Sequence, residues 1–390
     1  MKSNYKRLGD YIQELKVRNT EQKAEKLLGI NIDKYFMPSV ANVVGTDLSV
    51  YKIVKKNQFA CNRMHVGRDY RLPISMSKTD EEFMVSPAYD VFEIKNTEVL
   101  NPEFLMMWFY RREFDRNAWF YTDADVRGGL HWKAFCDMQL PIPTITKQRE
   151  IVKEYNVIQS RIALNQQLIQ KLEETAQAIY REWFVEFEFP DENAKPYKSN
   201  AGEMVWNEEL GKEIPKGWEN KLISDVGNIK AGGDKPNVFS DIKTSNCSIP
   251  IYSNGITNNG LYGYTNKHNY PKNSITISAR GTIGFCVLRR EDFDAIVRLL
   301  VLIPNNPTSA IYLWQTIKQI EFDNSGSVQN QLTIPQVSVL NILYPTQEIL
   351  KRYDSIVNLV YKNLEWQAKE NQKLSELKDL LLSKLATIEN

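Results

Sequence analysis

The chain is poor in the residues that build metal and disulfide sites. Its four cysteines, Cys61, Cys136, Cys247 and Cys286, lie far apart, with no Cys-x-x-Cys clip. Its three histidines, His65, His131 and His268, are equally scattered. A structural zinc site needs clustered ligands, so no metal-binding residue is assigned. Cysteines this dispersed fit a reducing compartment. No run of about 18 apolar residues occurs, so no membrane span is expected. The N-terminal MKSNYKRLGDYIQ has no apolar signal core, and a cytoplasmic location is expected. Neither sign of charge is in excess: 49 Lys and Arg against 48 Asp and Glu leave a formal net charge of +1. That excludes a uniformly basic coat, but not local basic patches.

Catalytic motifs are missing too. There is no GxxxxGK[ST] phosphate loop and no GxSxG elbow. An adenine methyltransferase needs a glycine-rich cofactor loop and an Asn/Asp-Pro-Pro-aromatic motif, and the chain has neither; Asn305-Asn306-Pro307-Thr308 reads only as a turn. Pro190-Asp191 followed by Glu219-Asn220-Lys221 loosely matches a magnesium-nuclease signature. These residues fall in a linker and at its edge, whereas nuclease carboxylates need rigid strands. Glu173-Glu174 and Glu208-Glu209 read as solvated charges. No catalytic residue and no cofactor-binding residue is assigned.

What the chain does have is length, a core and a repeat. Its 390 residues exceed one ordinary domain, and 42% of them are hydrophobic, enough for two cores. Leu140 to Phe184 lies over Ile342 to Ala386 without gaps, so that Pro143-Thr144 meets Pro345-Thr346 and Gln170-Lys171-Leu172 meets Gln372-Lys373-Leu374. Both stretches read as helices of roughly 38 residues, about 57 Å long. In the first, Ile151, Tyr155, Ile158, Ile162, Asn165, Ile169, Leu172, Ala176, Ile179 and Trp183 alternate steps of four and three, a heptad seam. The second seam runs Tyr353, Val357, Val360, Leu364, Gln367, Asn371, Leu374, Lys378, Leu381 and Leu385. A polar residue, Asn165 or Gln367, sits mid-seam in each, a common device for fixing register. The matched lengths predict an antiparallel pair.

The order is therefore globular unit, long helix, linker, globular unit, long helix. The expected fold class is α+β: two mixed α/β recognition domains separated by two long helices in an antiparallel coiled coil, with a pseudo-twofold internal repeat. The boundaries fall at 1–142, 143–190 (central helix), 191–219 (a polar linker with Gly and Pro breakers), 220–344 and 345–390 (distal helix). Alternation in YKIVKKNQFAC and SITISARGTIGFCVL predicts strands, and FLMMWFYRREF and AIYLWQTIKQIEF predict one short helix in each unit.

Charge distribution points to a polyanion. No acid occurs from Leu48 to Arg68 or from Ile242 to Arg290, while both windows carry Lys and Arg. Phosphate contacts supply most sequence-independent affinity for DNA. Phe59–Gly67 also lies over Thr276–Gly284, which places Arg63 on Arg280. The candidate DNA-binding residues are Lys52, Lys55, Asn62, Arg63 and Arg68 in the first window. In the second they are Ser253, Asn254, Asn258, Lys267, His268, Arg280 and Thr282. Asn, Arg and Ser can hydrogen-bond base edges. The shared position of Arg63 and Arg280 favours a phosphate contact in one common docking pose. The other reading of each arginine is an ion pair inside its own unit.

With these parts in view, nearly the whole chain resembles the specificity subunits of type I restriction-modification systems. The resemblance is carried by PYKSNAGEMVWNEELGKEIPKGW, by LPIPTITKQREIV and by QKLEETAQAIYREWFVEF. It implies two target-recognition domains, each reading one half of a bipartite DNA sequence, on a helical spacer. It implies a non-catalytic subunit that docks two DNA methyltransferase subunits and restriction/motor subunits. Adenine methylation and ATP-dependent cleavage, with S-adenosylmethionine, ATP and magnesium, would belong to those partners. The distal copy lacks the pair Gln148-Arg149, and its seam has Asn371 and Lys378 where the first has Ile169 and Ile179. The two helix ends are therefore expected to bind partners unequally. The competing readings are the recognition part of a fused type II restriction-modification enzyme and a coiled-coil protein adaptor that binds no DNA.

Overall fold

The computed structural model describes residues 5–40, 45–64, 66–122, 128–322 and 331–388. It divides into two compact units, residues 1–166 with 369–390, and residues 167–368. Both long helices are shared between the units. The sequence placed its boundaries at the helix ends; the division falls inside the helices, with Ile151, Tyr155 and Leu385 in the first core and Ala176, Trp183, Tyr353 and Val357 in the second.

The first unit contains β1 (Tyr5–Arg7), β2 (Ile12–Leu15), β3 (Leu28–Ile30), β4 (Phe36–Pro38), β5 (Lys52–Val54) and β6 (Phe59–Cys61). A single turn, α1 (Val66–Asp69), precedes β7 (Ile74–Met76), β8 (Phe83–Val85) and β9 (Asp90–Ile94). There follow α2 (Pro102–Phe109), α3 (Arg112–Phe120), α4 (Trp132–Asp137) and β10 (Gln139–Pro141). The strand order β2-β9-β6-β7 makes a four-stranded antiparallel sheet, and β1 pairs with β10. One face of this sheet, with Phe59 and Phe92, packs on Phe104 and Phe109 of α2. Two helices stand where the sequence predicted one. Arg111, in extended conformation, breaks the run, and Asn101 caps α2 by accepting from the Phe104 amide at 3.1 Å.

The first long helix is α5 (Ile145–Phe184). The segment after it is not a loose polar linker. It holds the hairpin β11 (Met204–Asn207) with β12 (Lys212–Pro215), and it buries Phe187, Phe189, Ile214 and Trp218 in the second core. The second unit continues with β13 (Glu219–Leu222), α6 (Ile223–Val226), β14 (Gly227–Ala231), β15 (Ile249–Tyr252), β16 (Leu261–Thr265) and β17 (Ser274–Ile277). After these come β18 (Cys286–Arg289), β19 (Asp294–Ala295), β20 (Leu300–Pro304), α7 (Ala310–Lys318), α8 (Ile334–Ser338), β21 (Asn341–Tyr344) and α9 (Gln347–Lys384). Its main sheet has the order β14-β20-β17-β18, and β13 pairs with β21. The four-stranded sheet of the first unit and its β1–β10 pair therefore recur in the second.

Within each unit, the start of one long helix lies beside the end of the other, so the two run antiparallel. In the first unit, Ile151, Val152 and Tyr155 share a core with Leu382 and Leu385. In the second, the Trp183 ring lies 5.7 Å from that of Tyr353. Every residue of both seams is buried or half-buried. Asn165 is buried and donates to Glu370 Oε2 at 2.7 Å and to Asn371 Oδ1 at 3.0 Å.

The ladder corrects the register of the shorter repeat. Cys61 pairs with Ile74, and Ile277 with Cys286. The next amides repeat this pattern, Asn62 to the Pro73 carbonyl and Ser278 to that of Phe285, both at 2.9 Å. One step on, the Arg63 carbonyl accepts from Leu130, and that of Ala279 from Leu332, both at 3.0 Å. Arg63 is thus the counterpart of Ala279, and Arg280 that of Met64. The alignment on Arg and Gly was slipped by one residue. In a strand that exchanges the two faces of the sheet.

A candidate nucleic-acid interface at one end of each sheet

Antiparallel strands gather alternate loops at each end of a sheet. In the second unit β14, β15, β17 and β19 finish, and β18 and β20 begin, at one common end. The segments 253–260, 278–285 and 296–299 meet there.

Asn254 ties them together. Its Nδ2 donates to the Val297 carbonyl at 2.7 Å, and its Oδ1 accepts from the Ala279 amide at 2.7 Å. The Ser278 hydroxyl donates to the Asn254 carbonyl at 3.1 Å. Asn254, singled out as a base reader, is thus occupied in positioning loops. Around it the turn Thr257–Gly260 carries Asn258 and Asn259 at φ 50° and 54°. Asn tolerates this left-handed region better than most residues, because its side chain can bond locally. Arg289 supports the turn from beneath, donating to the Asn259 carbonyl at 2.8 Å and lying 3.5 Å from the centre of the Tyr252 ring. Burial lowers its guanidinium to a pKa of about 10.

Ser253, Asn258, Arg280 and Thr282 therefore stand together at this end. Arg280 is exposed, and Gln331 Oε1 accepts from its Nη2 at 2.8 Å. Lys267 and His268 do not join them. They follow the far end of β16, beside the start of β15. Sequence reading missed Arg298, exposed at this end with φ 55°, because only the fold brings residues 296–299 to residues 253–260.

The first unit has the same open end. Lys52, Asn62, Arg63 and Arg68 lie there; Lys55 lies at the opposite end of β5, paired with Glu82 at 2.9 Å. The cations here are less free than an acid-free window implied, because acids arrive from elsewhere in the chain. Arg63 Nε is 2.5 Å from Asp90 Oδ2, both largely buried, and its Nη1 donates to the Leu130 carbonyl. It is the internal ion pair of the alternative reading. Lys52 Nζ donates to the Tyr89 carbonyl at 2.5 Å, and Arg68 pairs with Asp69 at 2.7 Å on the surface. Asn62 Oδ1 accepts from the Met64 amide at 3.2 Å.

The nuclease-like residues have other employment. Asp191 Oδ1 accepts the amides of Asn193 at 2.8 Å and Lys195 at 2.9 Å, and the Lys195 bond foremost lowers its pKa. Glu219 pairs with Lys221 at 2.7 Å. Among the described residues, no group of three or more His, Cys, Asp or Glu is placed to hold a metal ion. No described helix is long and apolar enough to cross a membrane.

Comparison with known proteins points one way. Residues 215–376 match the type I restriction modification DNA specificity domain. The HindI type I specificity subunit of Haemophilus influenzae is 24% identical over 421 residues, spanning 90% of this chain and 91% of that protein. The C-terminal part of a putative type I specificity subunit from Mycoplasma pneumoniae is 30% identical over 98 residues, 25% of this chain and 68% of that one. The crystal structure of the type I S subunit from M. genitalium aligns over 99% of this chain and 96% of its own with a TM-score of 0.64. Its sequence identity is 15%, so it shows a shared fold.

Proposed function

Because the chain belongs to the specificity subunits of type I restriction-modification systems, we propose that its two units read the two halves of one split DNA target. One observation carries this reading: the same four-stranded sheet, with the same open loop end, occurs twice and presents different side chains. A shared frame with unlike loops is what two readers of different sequences need, since phosphate contacts position and base contacts specify. Helices α5 and α9, of 40 and 38 residues, serve as the spacer. Linking two weak readers raises the effective concentration of the second contact.

The chain is proposed to act without chemistry of its own, as the scaffold for two methyltransferase subunits and the restriction/motor subunits. S-adenosylmethionine, ATP and magnesium would be held by those partners. A duplicated feature supports two copies of one partner. Val157 and Leu164 are exposed on α5, one heptad apart. At the same repeat spacing, Leu359 and Trp366 are exposed on α9.

The test is a domain exchange. Replacing residues 223–340 with those of a relative, and mapping methylated sites in host DNA, should change one half-site and leave the other intact. A change in both, or in neither, would refute modular reading. Absence of salt-dependent binding to duplex DNA would favour a protein adaptor instead.

A further inference from the structure

Helix α3 belongs to the first unit alone; among the described residues the second unit has no counterpart between α7 and α8. Its inner face buries Phe114 and Ala118. Its two acids are engaged by cations beneath it. Asp115 meets buried Lys34 at 2.8 Å, and Glu113 meets buried Arg111 at 3.5 Å. The outer face is left basic and aromatic. Arg112, Arg116 and Phe120 follow at intervals of four, so they share one side of the helix, and all three are exposed. Phe120 is 76% exposed and the adjoining Tyr121 52%.

This face adjoins the recognition end of the sheet. The Trp119 ring lies 5.4 Å from that of Tyr70, and Asp115 Oδ1 accepts the Leu72 amide at 3.1 Å. Both partners belong to the β6–β7 connection, which also carries Arg63 and Arg68. A soluble surface does not usually spend a phenylalanine on water beside two cations that meet no carboxylate among the described residues. DNA satisfies both parts, with phosphates for the arginines and a base step for the ring.

We infer that the Arg112–Arg116–Phe120 face is a second DNA contact of the first unit, in which the arginines bind phosphates and Phe120, flanked by Tyr121, wedges against a base step. The inference rests on reading the first unit as a DNA reader. It adds that this chain wedges a base step at the first half-site, because among the described residues only the first unit has the wedge.

The experiment uses the full chain assembled with its methyltransferase subunits and duplexes carrying 2-aminopurine, stepped across each half-site. The native complex should raise fluorescence at one step of the first half-site. Phe120→Ala with Tyr121→Ala should abolish that rise and weaken binding on the order of tenfold, about 1.4 kcal/mol, with the salt slope unchanged. Arg116→Ala should instead lower the slope by about one and weaken target and scrambled duplexes alike. A native complex with no such rise, or aromatic variants that keep native affinity and fluorescence, overturns the inference. So does an aromatic variant that binds DNA normally but loses its methyltransferase, which would make the face a protein contact. Failure of the native complex to bind duplex DNA in a salt-dependent way overturns the parent reading instead.

Discussion

Arg63 and Arg280 occupy different steps of one repeat: Arg63 matches Ala279, as the amides of Leu130 and Leu332 show by bonding to those two carbonyls. The two side chains accordingly do different work. Arg63 neutralises a largely buried Asp90, and Arg280 projects from a loop end.

The paired substitutions should therefore separate. Arg63→Ala leaves Asp90 buried without its partner, and should lower unfolding free energy by about 2–4 kcal/mol, read as a fall in urea midpoint. Arg280→Ala should leave stability within about 0.5 kcal/mol. In the assembled complex it should lower the salt slope by about one on target and scrambled duplexes equally. Loss on the target alone would mark it as a base reader.

The sequence made the long helices legible because a heptad seam is a strong periodic signal, and every seam residue is at least half-buried. The loops were not legible, because proximity there is set by the sheet. Asn254 looked like a base reader until its partners Val297 and Ala279 came into view. Lys267 shares an acid-free window with Asn258, but β16 carries it to the opposite end. The packing role of Gln148 was not legible either. Gln148 is fully buried, bonding to Asn101 and to the carbonyls of Val99 and Pro143, and Leu350 fills the equivalent place with an apolar side chain. Absence of that glutamine from the distal copy is thus matched by a difference in packing.

Asn165 tests whether a buried polar group fixes helix register. Asn165→Ala removes its bonds to Glu370 and Asn371, and should destabilise the protein by about 1–2 kcal/mol. Asn165→Leu should recover most of that stability by apolar burial while relaxing the alignment of the pair. Cysteines placed one heptad out of register should then crosslink only in the Leu variant. Equal crosslinking in the native chain would show that the seam's apolar residues set register unaided.

Two tyrosines make the helix pair sensitive to alkali. Burial raises Tyr155 to about 12, partly offset by the hydrogen bond from Gln159. Burial likewise raises Tyr361 to about 12, partly offset by the bond from Gln315. Above pH 10 the unfolded chain releases these protons while the folded one retains them. Stability is fully present below pH 10 and is lost as pH rises from 10 towards 12, by up to roughly 2 kcal/mol per tyrosine. Tyr155→Phe should flatten that part of the curve, read as the melting temperature between pH 9 and 11. An unchanged slope would place the loss in other groups.

The exposed apolar pairs on the long helices give the most direct test of the scaffold. Leu164 and Trp366, respectively 59% and 57% exposed, occupy matching places in the two copies. Isolated surface apolar residues need no explanation, but the same pair repeated on both helices does. Leu164→Asp and Trp366→Asp place a charge in each patch without touching a core, so melting temperatures should stay within a degree or two of native. Each variant should bind one methyltransferase subunit instead of two, and the double variant none, measured as complex mass by light scattering. DNA affinity of the isolated chain should be unchanged. If both single variants still assemble with two partner subunits, the docking surface lies elsewhere on the chain. If either loses both, the partner bridges the two patches, and the duplicated feature forms a single site.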